Sequence, residues 1–287
     1  MKRNLCNNIR TVFMLCILSA CGYEKEIDYK TLYSGDKIVV HGFISLEHGA
    51  EAVVKKTVIP NEIEASDFIS NPTVWLYEND KPFIQLMKEN SSKYRSPAGT
   101  VLNKANQYSI HVSCDGFDDV YSNPQPLINK LFIDTVYVSK HNKGQSKYFL
   151  AFEFNDIPGE DNYFMYKVHE YYKGTDQYHN AEFIDPLAVK KDADYNTTRL
   201  IFETEINNWI SSDEEFNGFD SIVFELVTVS KDYYTYSRSA DYYEGTVSSE
   251  FDEYVYPIFS NITNGIGFFA SWESTSYTFF PPDSLER

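Results

Sequence analysis

Tyr148-Phe-Leu-Ala-Phe-Glu-Phe154 places Tyr, Leu, Phe and Phe at positions 148, 150, 152 and 154, with Ala151 and Glu153 in the alternate set. A period of two marks an extended strand with one buried face, because successive side chains leave a strand on opposite sides. The neighbouring stretches 131–139, 163–172, 199–206 and 221–230 are rich in Val, Ile, Phe and Tyr, which suit a pleated, half-buried surface. Upstream, 38–45, 52–59, 73–77, 83–87, 107–113 and 119–122 read as further strands. Turn chemistry separates them at Glu78-Asn-Asp-Lys-Pro82, Ser96-Pro-Ala-Gly99 and Asp115-Gly116. Closely spaced short strands predict a sandwich or small barrel. Asn123-Pro-Gln-Pro126 carries two prolines that cannot donate to a ladder, and it is the best boundary in the chain. The expectation is a mainly β fold of two consecutive β-sandwich domains, residues 37–125 and 126–287. One segment breaks the pattern: Tyr233, Tyr236, Ala240 and Tyr243 fall near helical spacing before Gly245, which predicts one short helix near 232–244.

The chain has 287 residues, 25 Lys+Arg against 42 Asp+Glu, a formal charge of −17 and a 16% aromatic fraction. Such acidity argues against nucleic-acid binding, which draws its affinity from basic side chains displacing counterions. The 43% hydrophobic content is enough for a sizeable core.

Lys2, Arg3 and Arg10 precede the apolar run Thr11-Val-Phe-Met-Leu-Cys-Ile-Leu-Ser-Ala20, the layout of a secretory signal. Ten residues make about 15 Å of helix, too short for a hydrocarbon core of about 30 Å. Leu18-Ser19-Ala20-Cys21 resembles a bacterial lipobox, with Cys21 as the lipid attachment residue, residues 1–20 as signal peptide and residues 21–36 as a flexible tether. Acyl chains contribute about 0.8 kcal/mol per buried CH₂, so two or three of them anchor a protein to a membrane permanently. Removing residues 1–20 takes away three positive charges and no negative one, moving the formal charge from −17 to −20. It also removes Cys6 and Cys16. With Cys21 acylated, Cys114 is left alone, without a disulfide partner, and is read as an inert, buried thiol.

Four blocks together resemble the domain-of-unknown-function 4249 family of bacterial outer-membrane lipoproteins. They are the lipobox, Lys37-Ile-Val-Val-His-Gly-Phe-Ile-Ser45, Asn71-Pro-Thr-Val-Trp-Leu-Tyr-Glu-Asn-Asp80 and Phe259-Ser-Asn-Ile-Thr-Asn-Gly-Ile-Gly-Phe-Phe269. The last is the most specific, whereas residues 140–215 match in general character. The resemblance implies a first domain of immunoglobulin-like or carboxypeptidase-regulatory-like type. It also implies a setting beside TonB-dependent outer-membrane transporters, and it offers no catalytic residues to carry over. Glu24, Glu26 and Asp28 behind Cys21 resemble the surface-export signal of lipoproteins in Gram-negative gut anaerobes, which favours the cell surface over the periplasmic face.

No Gly-x-Ser-x-Gly elbow, phosphate-binding Gly loop, His-Glu-x-x-His or Cys-x-x-Cys occurs in the sequence. The expectation is a non-enzymatic chain without a cofactor. Asp192, Asp194, Asn196 and Glu203 stand at positions one, three, five and twelve of a calcium-type loop, but Thr197 replaces the glycine of position six, so a solvated acidic loop is the favoured reading. Asp283-Ser284-Leu285 resembles an O-glycosylation sequon of the same bacterial phylum. The tyrosines are the most suggestive feature. Tyr233, Tyr234, Tyr236, Tyr242 and Tyr243 form a candidate contact surface, because flat rings with a hydroxyl stack on sugars or anchor protein contacts, although tyrosines also cover sheets. The preferred reading is a lipid-anchored outer-membrane accessory protein beside a TonB-dependent transporter. The alternatives are a stand-alone module binding a glycan or peptide and, behind it, a secreted hydrolase.

Overall fold

A computed structural model describes residues 35–58, 67–143, 145–172, 178–180, 189–195, 199–205, 219–247 and 257–280. Apart from Gly35 and Val58, these belong to one compact unit, Asp36–Thr57 with Asp67–Arg287. The chain is mainly β. Its first strands are β1 (Ile38–Ser45), β2 (Gly49–Lys56), β3 (Thr73–Glu78), β4 (Lys81–Gln85), β5 (Met87–Lys88), β6 (Lys93–Arg95), β7 (Gln107–Ser113), β8 (Val120–Ser122) and β9 (Gln125–Pro126). There follow β10 (Ile133–Lys143), β11 (Gln145–Asn155), β12 (Tyr163–Tyr172), β13 (Tyr178–Asn180), β14 (Lys190–Lys191), β15 (Arg199–Glu205) and β16 (Phe219–Val229). The helix α1 (Lys231–Val247), β17 (Ile262–Thr263) and β18 (Ile266–Phe279) close the series.

Three sheets result. A nine-stranded sheet runs β13-β12-β16-β18-β1-β2-β6-β5, with β14 also on β12; a six-stranded sheet runs β17-β8-β7-β3-β4, with β9 on β7; and β10-β11-β15 form the third. The large sheet contains strands from both sides of the Asn123–Pro126 segment. Its centre is β18, which pairs in parallel with β1 (His41↔Phe268) and antiparallel with β16 (Val229↔Trp272).

Alternation explains the layers. In β1 and β2, Ile38, Val40, Ile44, Ala50, Ala52 and Val54 point to one side and are buried. They pack against Val74, Leu76, Tyr108, Ile110 and Val112 of the six-stranded sheet, making one core. At the other end, Phe164, Ile222, Phe224 and Leu226 meet Phe152, Phe154 and Leu200 of the three-stranded sheet, making a second. The strand register puts both cores on the same face of the large sheet. The opposite face carries α1. Sandwich packing of this kind agrees with the expected β-sandwich class.

Turns follow their residues. Asn79 (φ 48°) and Asp80 (φ 63°) form a two-residue hairpin between β3 and β4, a conformation that Asn and Asp tolerate better than other side chains. At the β1–β2 turn the Ser45 hydroxyl accepts from the amides of Glu47 (3.1 Å) and His48 (3.3 Å). The buried Glu273 carboxylate accepts from Leu46 N–H (2.6 Å) and the Ser45 hydroxyl (3.2 Å). No described helix is long and apolar enough to cross a membrane. The signal, the lipobox and the tether as far as residue 34, Leu18, Ser19, Ala20 and Cys21 among them, lie outside the described residues, as do Asn196 and Ser284.

Candidate functional site

The Ser260-Asn-Ile to Gly-Phe-Phe269 block, the most specific part of the sequence pattern, is a clamp that seats α1. The Asn261 amide donates to the Phe269 carbonyl (2.8 Å) and its Oδ1 accepts from Phe269 N–H (2.9 Å), so a side chain imitates a strand partner. The same Nδ2 donates to Asp232 in the first turn of α1 (2.6 Å), and Gln125 Nε2 donates to that carboxylate as well (2.8 Å). A carboxylate at this end complements the positive pole of the helix. Ser230 joins the network, donating to Gln125 Oε1 (3.2 Å) and accepting from Ser271 N–H (3.3 Å). Helix, edge strand and β18 are thereby fixed to one another.

With α1 seated, its i, i+3 spacing lays Tyr233 and Tyr236 over the outer face of β1 and β18. The Tyr236 ring centroid lies 4.5 Å from Phe268 and 5.8 Å from His41. Tyr233 lies 5.2 Å from Phe43 and meets Phe268 edge-on at 5.1 Å. His41 stacks on Phe268 (5.1 Å, 16°), and His48 stacks on Trp272 (5.5 Å, 20°) beside Phe43. Seven rings therefore form one array, with Phe268 buried beneath, Phe43, Tyr233, Tyr236 and Trp272 half-buried, and His41 and His48 exposed. Although one edge of His41 is open to solvent, desolvation by the rings packed on it, followed by the Lys55 charge, lowers its pKa. Burial raises the phenol pKa of Tyr233 and Tyr236. The array offers flat apolar faces with hydroxyl and imidazole groups for hydrogen bonding.

The five tyrosines of the sequence reading separate here. Tyr233 and Tyr236 support the array, while Tyr234 turns to the other side and packs on Tyr163 (4.8 Å). Tyr242 (53% exposed) and Tyr243 (36%) face solvent, and the Arg238 guanidinium lies 5.2 Å over the Tyr242 ring and donates to its hydroxyl (3.2 Å). Sequence reasoning missed His41, His48, Phe43, Phe268 and Trp272. A signal existed in β1, where His41 and Phe43 occupy the face opposite Ile38, Val40 and Ile44, so that both faces are apolar or aromatic.

Of the calcium-type residues, the side chains of Asp192 and Asp194 are the ones described. Asp192 is buried and structural: its carboxylate accepts from Asn162 N–H (2.8 Å) and Ala193 N–H (2.5 Å). Asp194 is exposed, Glu203 lies in β15, and among the described residues no group of three or more His, Cys, Asp or Glu could hold a metal ion. The Asn162 amide also donates to Asp156 (2.5 Å). Burial, and then the Asp192 charge, raises the Asp156 pKa. The Cys114 thiol donates to the Ser70 carbonyl (3.3 Å), and burial followed by the Asp115 charge pushes its pKa up, which leaves it a poor nucleophile at neutral pH.

A search of curated proteins finds no match. A family model, domain of unknown function DUF4249, matches residues 24–278, which includes β1, α1, the Asn261 clamp and all but the last residue of β18. That match spans most of the chain, and the chain belongs to the DUF4249 family.

Proposed function

We propose that this protein is a non-enzymatic binding component of the outer membrane, held there by lipid on Cys21 and working beside a TonB-dependent transporter. The observation that supports the binding role is the ring array on the face of the large sheet, clamped by Asn261 and Asp232. Rings held by packing lose little conformational freedom when they meet a partner, so more of the contact energy is retained as affinity. Flat rings with hydroxyl groups at their edges suit a neutral protein surface or a sugar. The address rests on Leu18-Ser19-Ala20-Cys21 behind a short apolar run.

Membranes from cells producing the tagged chain test this reading. Detergent extraction followed by affinity capture is expected to bring a TonB-dependent transporter with the chain, and Cys21→Ala is expected to move the chain to the soluble fraction. An anchored chain that captures no transporter removes the partnership and leaves the stand-alone glycan- or peptide-binding reading. Retention of Cys21→Ala in the lipid fraction overturns the anchor.

A further inference from the structure

A second recess lies away from the ring array, where the chain changes sheets. β4 is the edge of the six-stranded sheet and β5 the edge of the large one, and between them Leu86 is buried with its N–H on the Val74 carbonyl (2.8 Å). Both edges open on a cleft of about 690 Å³ whose apolar walls include Pro72, Ile84, Leu86, Met87 and the Tyr94 ring.

Tyr94 is 3% exposed, and its buried hydroxyl has no hydrogen-bond partner. The other large tyrosine of this core shows what the fold does with a purely structural phenol. The Tyr108 hydroxyl donates to Glu78 (2.8 Å) and accepts from Asn103 N–H (2.7 Å). A phenylalanine would fill the space of Tyr94 without burying an unmet polar group, and such groups in native proteins call for an explanation.

Lys88 is the single charged residue lining the cleft. It has no ion pair among the described residues, and its ammonium lies 5.3 Å from the Phe68 ring centroid. Its basic neighbours are all paired: Lys55 with Asp67, and Lys93 and Arg95 with both Glu51 and Glu89. A cation with no ion pair among the described residues, set on an apolar cleft in a chain with 42 acidic residues, selects an anion attached to an apolar body. The body would cover Met87, which is 57% exposed, and Phe68 beside it.

We infer that this cleft binds a small apolar carboxylic acid, its hydrocarbon part on Ile84, Leu86 and Met87 and its carboxylate answering Lys88 and the Tyr94 hydroxyl. The site is independent of the lipid anchor and of the ring array, so neither the membrane test nor a change at Tyr236 bears on it.

The test uses the full-length chain in detergent, with 3-phenylpropionate and its neutral amide as probes, titrated by saturation-transfer NMR. The acid is expected to bind at low millimolar concentration, about threefold tighter than the amide, the preference that a solvent-accessible ion pair gives. Lys88→Gln removes that preference. Tyr94→Phe weakens the acid about fivefold, the loss of one hydrogen bond, and leaves the Tm of the free protein unchanged or raised. Absence of binding overturns the inference, as does a preference for the acid that survives Lys88→Gln. A lowered Tm for Tyr94→Phe places an internal partner on the hydroxyl and overturns it as well.

Discussion

Gly267 is where the parallel pairing of β1 and β18 is most exposed to a single-atom change. Its φ is +112°, outside the region that a side chain tolerates, and a Cβ there would sit 2.0 Å from the Val40 carbonyl oxygen, 2.9 Å from the Val40 carbonyl carbon and 3.0 Å from His41 Cδ2. The obstacle is mostly backbone of the neighbouring strand, so no rotamer change relieves it. Restoring contact distance requires β1 to retreat by about 1 Å or more. Gly267→Ala therefore incurs backbone strain of about 1–3 kcal/mol and overpacking of about 1–3 kcal/mol, together about 2–6 kcal/mol. That is a large part of a typical stability of about 5–15 kcal/mol. Gly116→Ala is the matched control: φ is +85° there too, but nothing lies within 4 Å of the added carbon, so strain alone applies, about 1–2 kcal/mol. Urea unfolding of the two variants and the parent, compared at constant m, measures the difference. Equal losses in the two variants would refute the packing argument and leave backbone conformation as the whole effect.

Asn261→Ala strips the Phe269 N–H and C=O of partners in a buried setting, and is expected to cost about 2–4 kcal/mol, read as a fall in Tm; a loss no greater than that of Asp232→Ala would mean that the strand-like pairing contributes little. Asp156 provides a pH signature. Its folded-state pKa is raised, so its contribution is complete below the unfolded carboxylate value and is lost as pH rises through the folded one. Asp156→Asn should thus raise Tm at pH 7, with the gain shrinking as the pH falls to about 4, and a gain independent of pH would sink this account. Tyr236→Ala, which removes a half-buried ring from Phe268 and His41, should cost about 2 kcal/mol, whereas Tyr242→Ala should stay within about 0.5 kcal/mol in the same unfolding assay.

Much of the β framework was legible because one-sided burial leaves a period of two in the sequence. Ile38–Ser45, Gln107–Ser113 and Tyr163–Tyr172 have the bounds that their alternation predicts. The helix was legible from Tyr233, Tyr236 and Ala240, whose spacing matches the sheet contacts that 233 and 236 make. Glu78-Asn-Asp-Lys-Pro82 read as one long turn, but only Asn79 and Asp80 turn. β4 begins at Lys81 and includes Pro82, which an edge strand accommodates because one side of it needs no donors. Lys93-Tyr94-Arg95 was not read as a strand, since three residues with one inward side chain show no period; its pairing to β2 and β5 defines it. The ring array was the least legible part. Phe43 and Trp272 stand more than two hundred residues apart, and the parallel pairing that makes them neighbours leaves no local trace.

β18 connects these observations physically. Its odd-numbered side chains face the cores: Phe269 packs there and Glu273 holds the β1–β2 turn. On the even-numbered side, Phe268 and Trp272 floor the ring array. One strand thus transmits the rigidity of a packed interior to a solvent-facing surface, and Asn261 and Asp232 extend that rigidity to the helix above. A surface built in this way cannot remodel around a partner without loosening the parallel β1–β18 pairing. On the binding role proposed above, its rings would meet a partner in the arrangement they already hold, and the ordering cost of binding would fall on the partner instead of on this chain.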